Sequence, residues 1–284
     1  MDSVRADLEH EIPNGSRLYF GKTASIKREI ENYAATLFKE YGFEEILTPY
    51  FSYHQHLSVS SEQLLKFPDM TNHTISLRAD STVDVVRIVL RRIKNENLKR
   101  LFYIQPVLKY PNIENYQIGA ELIGESNLAL SIEIASKVFD KFGLKPNLQI
   151  SNIEIPKLVC QILNTSISGF EKGDMEWIFK KDIKWLSSLA RLTHLKDLED
   201  VKKIVPNELK APLERLENLA HSSNENIRLA PLYYSKMRYY DKLFFRFLCD
   251  NYVLCSGGDY EIDSLESSGF AIMTDAFLEN ILER

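Results

Sequence analysis

Apolar runs in this sequence are only a few residues long, as at Ile88-Val89-Leu90, so nothing approaches the roughly 20 residues that a bilayer-spanning helix needs. The N-terminal stretch MDSVRADLEHEIPNG is acidic and has no apolar segment, which reads against a secretory signal. A cytoplasmic protein without a membrane partner is expected. Cysteine is scarce: Cys160, Cys249 and Cys255 are odd in number and form no Cys-x-x-Cys pair, so neither a disulfide framework nor a zinc site is implied. They read as packing residues. His54, His56, His73 and His194 have no metal-ligand spacing, and Gly257-Gly258 belongs to no phosphate-cradling loop, so no metal and no cofactor are expected. Positive charge is also in short supply. A net charge of -5 and a pI near 5.8 argue against an extended phosphate-binding surface, and no nucleic-acid partner is expected. The one basic cluster, Arg87, Arg91, Arg92, Lys94, Lys99 and Arg100, reads as a solvated helix face.

What is present is enough for a substantial core, with 44% hydrophobic residues over 284 positions. Residues 24–41 place Ile26, Ile30, Tyr33, Leu37 and Tyr41 at helical spacing before Gly42, which predicts an amphipathic helix with a glycine stop. FEEILTPYFSY then reads as a strand at an edge or interface, because Pro49 cannot donate to a ladder. LLKFPDM and HTISLRAD predict a hairpin turning at Asp69 to Asn72, followed by a helix from about Ser81 to Lys94. LFYIQPVLKY and YQIGAELIG predict an antiparallel pair, and Ser126 is the expected cap of a helix ending at Gly143. From about 166 to 225 the pattern is helical and reads as an insert between core segments 1–165 and 226–284. YYDKLFFRFL, NYVLCSGG and GFAIMT supply closing strands before a terminal helix. The expected fold class is α+β, an antiparallel sheet flanked by helices with a helical insert.

Five strings in this order resemble the class II aminoacyl-tRNA synthetase core, and in particular its histidyl group. PNGSR at 13–17 resembles that family's opening Pro-x-Gly-x-Arg, and YGFEEILTPYF at 41–51 resembles its dimer-forming motif 1. SLRADST at 76–82 is similar to Leu-Arg-Pro-Glu-x-Thr, with Asp80 at the Glu position; QIGAE at 117–121 matches Gln-x-Gly-x-Glu; SGGDYE at 256–261 resembles Gly-Gly-Arg-Tyr-Asp. The departures matter equally. Lys109 stands where motif 2 of the family has a forked Arg, which a point-charge ammonium does not replace. The loop from Lys109 to Gln117 is short. Ser235-Lys236-Met237-Arg238-Tyr239-Tyr240 replaces Arg-Gly-Leu-Asp-Tyr-Tyr, so Ser235 takes the place of a catalytic Arg, and Ala276 takes that of the motif 3 Arg.

The resemblance therefore implies a core that no longer forms an adenylate, because the developing phosphate charge would lack its cations. An anticodon-binding domain is not expected either. Within the group, the segment LLKFPDMTNHTISLRADSTVDVVR is similar to the regulatory subunits that accompany the short form of ATP phosphoribosyltransferase. That likeness implies a catalytic partner subunit, histidine as effector, and self-association through motif 1. The implied histidine site is Asp80, Thr82, Lys109, Gln117, Glu121, Tyr239, Tyr240 and Tyr260. Gln117 and Glu121 share one face of a strand, where an amide meets an ammonium and a carboxylate meets an imidazole. Asp80 and Thr82 either complete the ammonium site or cap the following helix. A truncated amino-acid-activating ligase is the alternative reading.

Overall fold

The structure is a computed structural model, and it describes residues 11–95, 97–223, 226–235, 237 and 239–283. Lys236 and Arg238 of the motif above therefore lie outside the described residues. Helix α1 (Gly21–Glu40) buries Ile30, Ala34, Leu37 and Phe38 along one stripe, and Gly42 ends it at φ 78°. The expected single strand after it is instead two short pieces, β1 (Glu44–Glu45) and β2 (Phe51–Ser52), with Pro49 in the extended link between them. β3 (Lys66–Pro68) and β4 (Thr74–Leu77) form the expected hairpin and make a small sheet in the order β2-β4-β3. Helix α2 (Thr82–Ile88) continues as a π-helical turn over Val89–Ile93 and stops at Lys94 with φ 56°.

β5 (Arg100–Lys109) and β6 (Ile113–Leu122) pair antiparallel along their whole length, from Arg100↔Leu122 to Lys109↔Ile113. Helix α3 (Leu128–Lys141) follows; its cap is Asn127, whose side chain accepts from the Leu130 amide, rather than Ser126. Next come β7 (Asn147–Asn152) and helices α4 (Glu154–Ile162), α5 (Ser168–Lys172), α6 (Glu176–Lys180), α7 (Lys184–Arg191), α8 (Leu198–Ile204) and α9 (Lys210–His221). The chain closes with β8 (Ile227–Leu229), β9 (Tyr240–Cys249), β10 (Tyr252–Ile262), β11 (Leu265–Met273) and α10 (Thr274–Leu282).

The main sheet has eight strands in the order β1-β5-β6-β11-β10-β9-β7-β8. Its centre is antiparallel, as expected, but the edge pairs β1/β5 and β7/β8 are parallel, so the sheet is mixed. Alternation splits its two faces cleanly. One face carries Phe102, Ile118, Phe245, Phe247 and Phe270, packed against α1, α3 and α10 in the principal core. Each large apolar side chain fully buried there contributes roughly 1.5–3 kcal/mol. Cys160 and Cys255 are buried in the same core, where burial raises both thiol pKa values. The opposite face carries Tyr103, Gly119, Glu121, Gly258, Tyr260, Tyr240, Phe244 and Arg246, and α2 covers part of it. No helix among the described residues is long and apolar enough to cross a membrane.

Candidate effector site

Glu121 lies at the centre of the second face and is fully buried. Its carboxylate lies over Gly269 on the neighbouring strand, where any Cβ would collide with it. The Tyr260 hydroxyl donates to it at 2.7 Å and the Tyr103 hydroxyl approaches at 3.5 Å. The Thr82 hydroxyl also faces it, from the first turn of α2. Burial pushes the Glu121 pKa up to about 8, and the nearby Asp80 charge adds to the rise. Tyr239 and Tyr240 close the side of the cluster, with ring centroids 4.5 Å apart, and Tyr239 meets Tyr260 edge-on at 5.7 Å. Desolvation raises the pKa of all four tyrosines, so they stand as neutral hydroxyls.

Asp80 is the second buried acid. The Tyr239 hydroxyl donates to its Oδ2 at 3.3 Å, while Oδ1 has no partner among the described residues. Burial raises its pKa to about 6, opposed by the charge of Lys109 and by the Val83 amide. Of the alternatives left open for this segment, the capping contact is present, since Asp80 meets a first-turn amide of α2. Gln117, on the Glu121 face of β6, holds its amide nitrogen 3.7 Å from Met273 Sδ, and its buried Oε1 is likewise without a partner. The structure thus gathers Asp80, Thr82, Glu121, Tyr239, Tyr240 and Tyr260 into one buried cluster. Lys109 faces Asp80, and Gln117 lies two pleats along β6 from Glu121.

Three further residues build the site without having been singled out. Tyr103 is paired with Gly119, and its ring fills the space that the missing side chain leaves. The glycine inside QIGAE was the available signal. Gln55, in a single 3-10 turn, clamps the loop before α2: its Oε1 accepts from the Ala79 and Asp80 amides at 2.7 and 2.8 Å, and its Nε2 donates to the Asp80 carbonyl and to Asp84 Oδ2 at 2.9 and 2.6 Å. Arg78 is buried with its guanidinium on neutral acceptors, Pro106 O at 2.8 Å and Thr48 O at 2.7 Å, and so locks the loop to β5. Neither Gln55 nor Arg78 has a periodicity that would announce it.

Two buried carboxyl groups, two orphaned oxygens and a ring of phenols leave hydrogen-bonding capacity that N–H donors can satisfy. Two of the positions that match the family's arginines hold Ser235, in the loop before β9, and Ala276, in the first turn of α10. Ser235 Oγ accepts from the Met237 amide at 3.2 Å, and the Ala276 carbonyl accepts from Asn280 at 2.9 Å. Beside Ala276, Asp275 takes the Tyr116 amide at 2.8 Å and the Tyr19 hydroxyl, and Arg17 pairs with Glu279 at 2.7 Å. Among the described residues no group of three or more His, Cys, Asp or Glu could hold a metal ion.

A mixed sheet with an antiparallel centre, helices packed on one face and a buried cluster of acids and tyrosines on the other defines a class II aminoacyl-tRNA synthetase-like domain. The family model described as Histidyl-tRNA synthetase matches residues 20–276. An ATP phosphoribosyltransferase regulatory subunit from Wolinella succinogenes is 43% identical over 278 residues, covering 97% of each chain, and one from Helicobacter hepaticus is 37% identical over 97% of this chain and 99% of its own. Among solved structures, an ATP phosphoribosyltransferase regulatory subunit/histidyl-tRNA synthetase from Bacillus halodurans superimposes with a TM-score of 0.83 at 21% identity, over 96% of this chain and 83% of that one. The chain belongs to the histidyl-tRNA synthetase family, in its branch of ATP phosphoribosyltransferase regulatory subunits.

Proposed function

We propose that the chain is a non-catalytic regulatory subunit that activates the catalytic subunit of ATP phosphoribosyltransferase and contributes to histidine feedback inhibition at the first step of histidine biosynthesis. The observation that carries this reading is the 43% and 37% identity to two regulatory subunits over nearly the full length, joined to a cluster of buried acids that Lys109 faces. Glu121 meets the imidazole, with Tyr260 and Tyr103 fixing its orientation. Asp80, Gln117 and Thr82 meet the α-ammonium, and Lys109 is the cation left for the carboxylate. Within the described residues, segments 1–165 and 226–284 are read as the core around this site and 166–225 as an insert upon it. Co-purification with an untagged catalytic subunit tests the assembly: a stable complex supports the reading, and separate elution at micromolar concentration contradicts it.

The ligase alternative would need phosphate-binding cations near Ala276, where the described side chains include Asp275 and Glu279, with Arg17 committed to the latter. Nothing in that arrangement favours it.

Self-association follows from the surface around motif 1. Leu47, Tyr50, Phe51, Tyr53, Phe67 and Met70 are all exposed, and Phe51 meets Phe67 edge-on at 6.1 Å. Such a cluster of large apolar side chains is uncommon on a monomer and suits a two-fold contact beside the β1 edge. Light scattering should give at least a dimer for the chain and a shift toward monomer for Phe51→Asp. A wild-type monomer at micromolar concentration, with and without the catalytic subunit, would contradict this assignment.

A further inference from the structure

A cavity of about 810 Å³ lies between the helical segment and the sheet, and Glu121 is not among the residues that line it. Its floor is Gln149 on β7, Arg246 on β9 and Ser256 on β10, and its roof includes Phe170 and Lys172 of α5 and Leu192 after α7. The size suits a small organic ligand, and the walls are largely apolar. Among the described residues, the charged ones lining it are Lys172, Arg228 and Arg246 against Glu171, a cationic excess in a protein of net charge -5.

Arg246 gives this cavity its chemistry. Its guanidinium stacks 3.8 Å above the Tyr233 ring, which is itself stacked on Phe244 with centroids 5.5 Å apart and planes 15° from parallel. Nε donates to Gln149 Oε1 at 3.0 Å, and Nη2 donates to the same oxygen. Nη1 has no hydrogen-bond partner and the guanidinium no carboxylate within ion-pair distance among the described residues. Arg78 shows what a purely structural buried arginine looks like in this fold: its three nitrogens all reach carbonyl or hydroxyl oxygens. Arg246 is instead held rigid on one face and one edge, with the rest of its fork left toward the cavity. Desolvation works against its charge, which an anion would relieve.

We propose that this cavity binds a small planar organic anion, its acidic group on the fork of Arg246 and its ring between the apolar walls. The proposal stands whether or not the regulatory reading does. The loop that carries Tyr233 and Ser235 at the cavity runs on to Tyr239 at Asp80, so an occupant touches the same segment as the effector site.

The test uses the full chain and 8-anilinonaphthalene-1-sulfonate as probe, with N-phenyl-1-naphthylamine as the same ring system without its anionic group. Arg246→Met should weaken the sulfonate at least about tenfold, as loss of a charge-assisted pair does, and leave the uncharged probe within about twofold. On the unaltered chain, benzoate or phenyl phosphate should displace the sulfonate at concentrations at least about tenfold below benzyl alcohol, and the better of the two names the acidic group. Equal weakening of both probes, undiminished sulfonate binding by the folded variant, or displacement by benzyl alcohol as effective as by either anion overturns the proposal. The competition on the unaltered chain decides the matter if the variant does not fold.

Discussion

In the complex with the catalytic subunit, Glu121→Gln raises the histidine concentration needed for half-inhibition by about tenfold to a hundredfold and leaves activation intact. The magnitude is that of losing a charge-assisted hydrogen bond, about 1.5–3 kcal/mol, because a neutral amide cannot share the proton. Activation survives because Glu121 is buried inside the site and Gln is nearly isosteric. A pH signature accompanies the loss. The empty site holds Glu121 protonated below about 8, and a free imidazole is protonated below about 6.5. The complex shares one proton between them, so histidine binds best between those values. Above the upper one a proton must be taken up, and below the lower one a proton must be released. Asp80, with a pKa of about 6, also begins to protonate at the acid end and loses its hold on the ammonium. Glu121→Gln should abolish the alkaline limb near pH 8 and keep the acid one. Identical inhibition curves for wild type and variant would place the histidine site elsewhere.

The second large effect is an absence of chemistry. The chain alone, given histidine and ATP, exchanges pyrophosphate at background level, and Lys109→Ala changes nothing. Transition-state donors of this kind are worth about 10²–10³ in turnover each, and Lys109, Ser235 and Ala276 leave three such positions without a forked cation. Among the described residues beside Ala276, Asp275 is buried, Arg17 is tied to Glu279 and Lys27 to Glu31. Exchange above background that disappears in Lys109→Ala would restore the ligase reading.

How legible the molecule was depended on whether a residue's role is set locally. β5 and β6 could be read because each contains a long run of strand-forming residues on one side of a short loop, and α1 because its apolar stripe repeats at helical spacing before a glycine. β7 and β8 could not, since a six-residue and a three-residue strand owe their existence to the sheet edge they join. β1 and β2 shrank to two residues each because motif 1 spends its length crossing between sheets. Among site residues, Glu121 and Gln117 announce themselves by a two-residue period, and Tyr260 by its place after two glycines. Tyr103 needed the register Tyr103↔Gly119, and Arg246 needed the fold to bring Tyr233 beneath it. Contacts made at a separation of tens of residues leave no mark in either neighbourhood.

Phosphoribosyl transfer by the catalytic subunit, titrated with this chain at fixed ATP and phosphoribosyl pyrophosphate, is the most direct measurement. Turnover should rise saturably to a fixed stoichiometry, and histidine should inhibit the assembled complex more strongly than the catalytic subunit alone. A rate and a histidine sensitivity that remain those of the catalytic subunit at every ratio of the two chains would contradict the regulatory assignment.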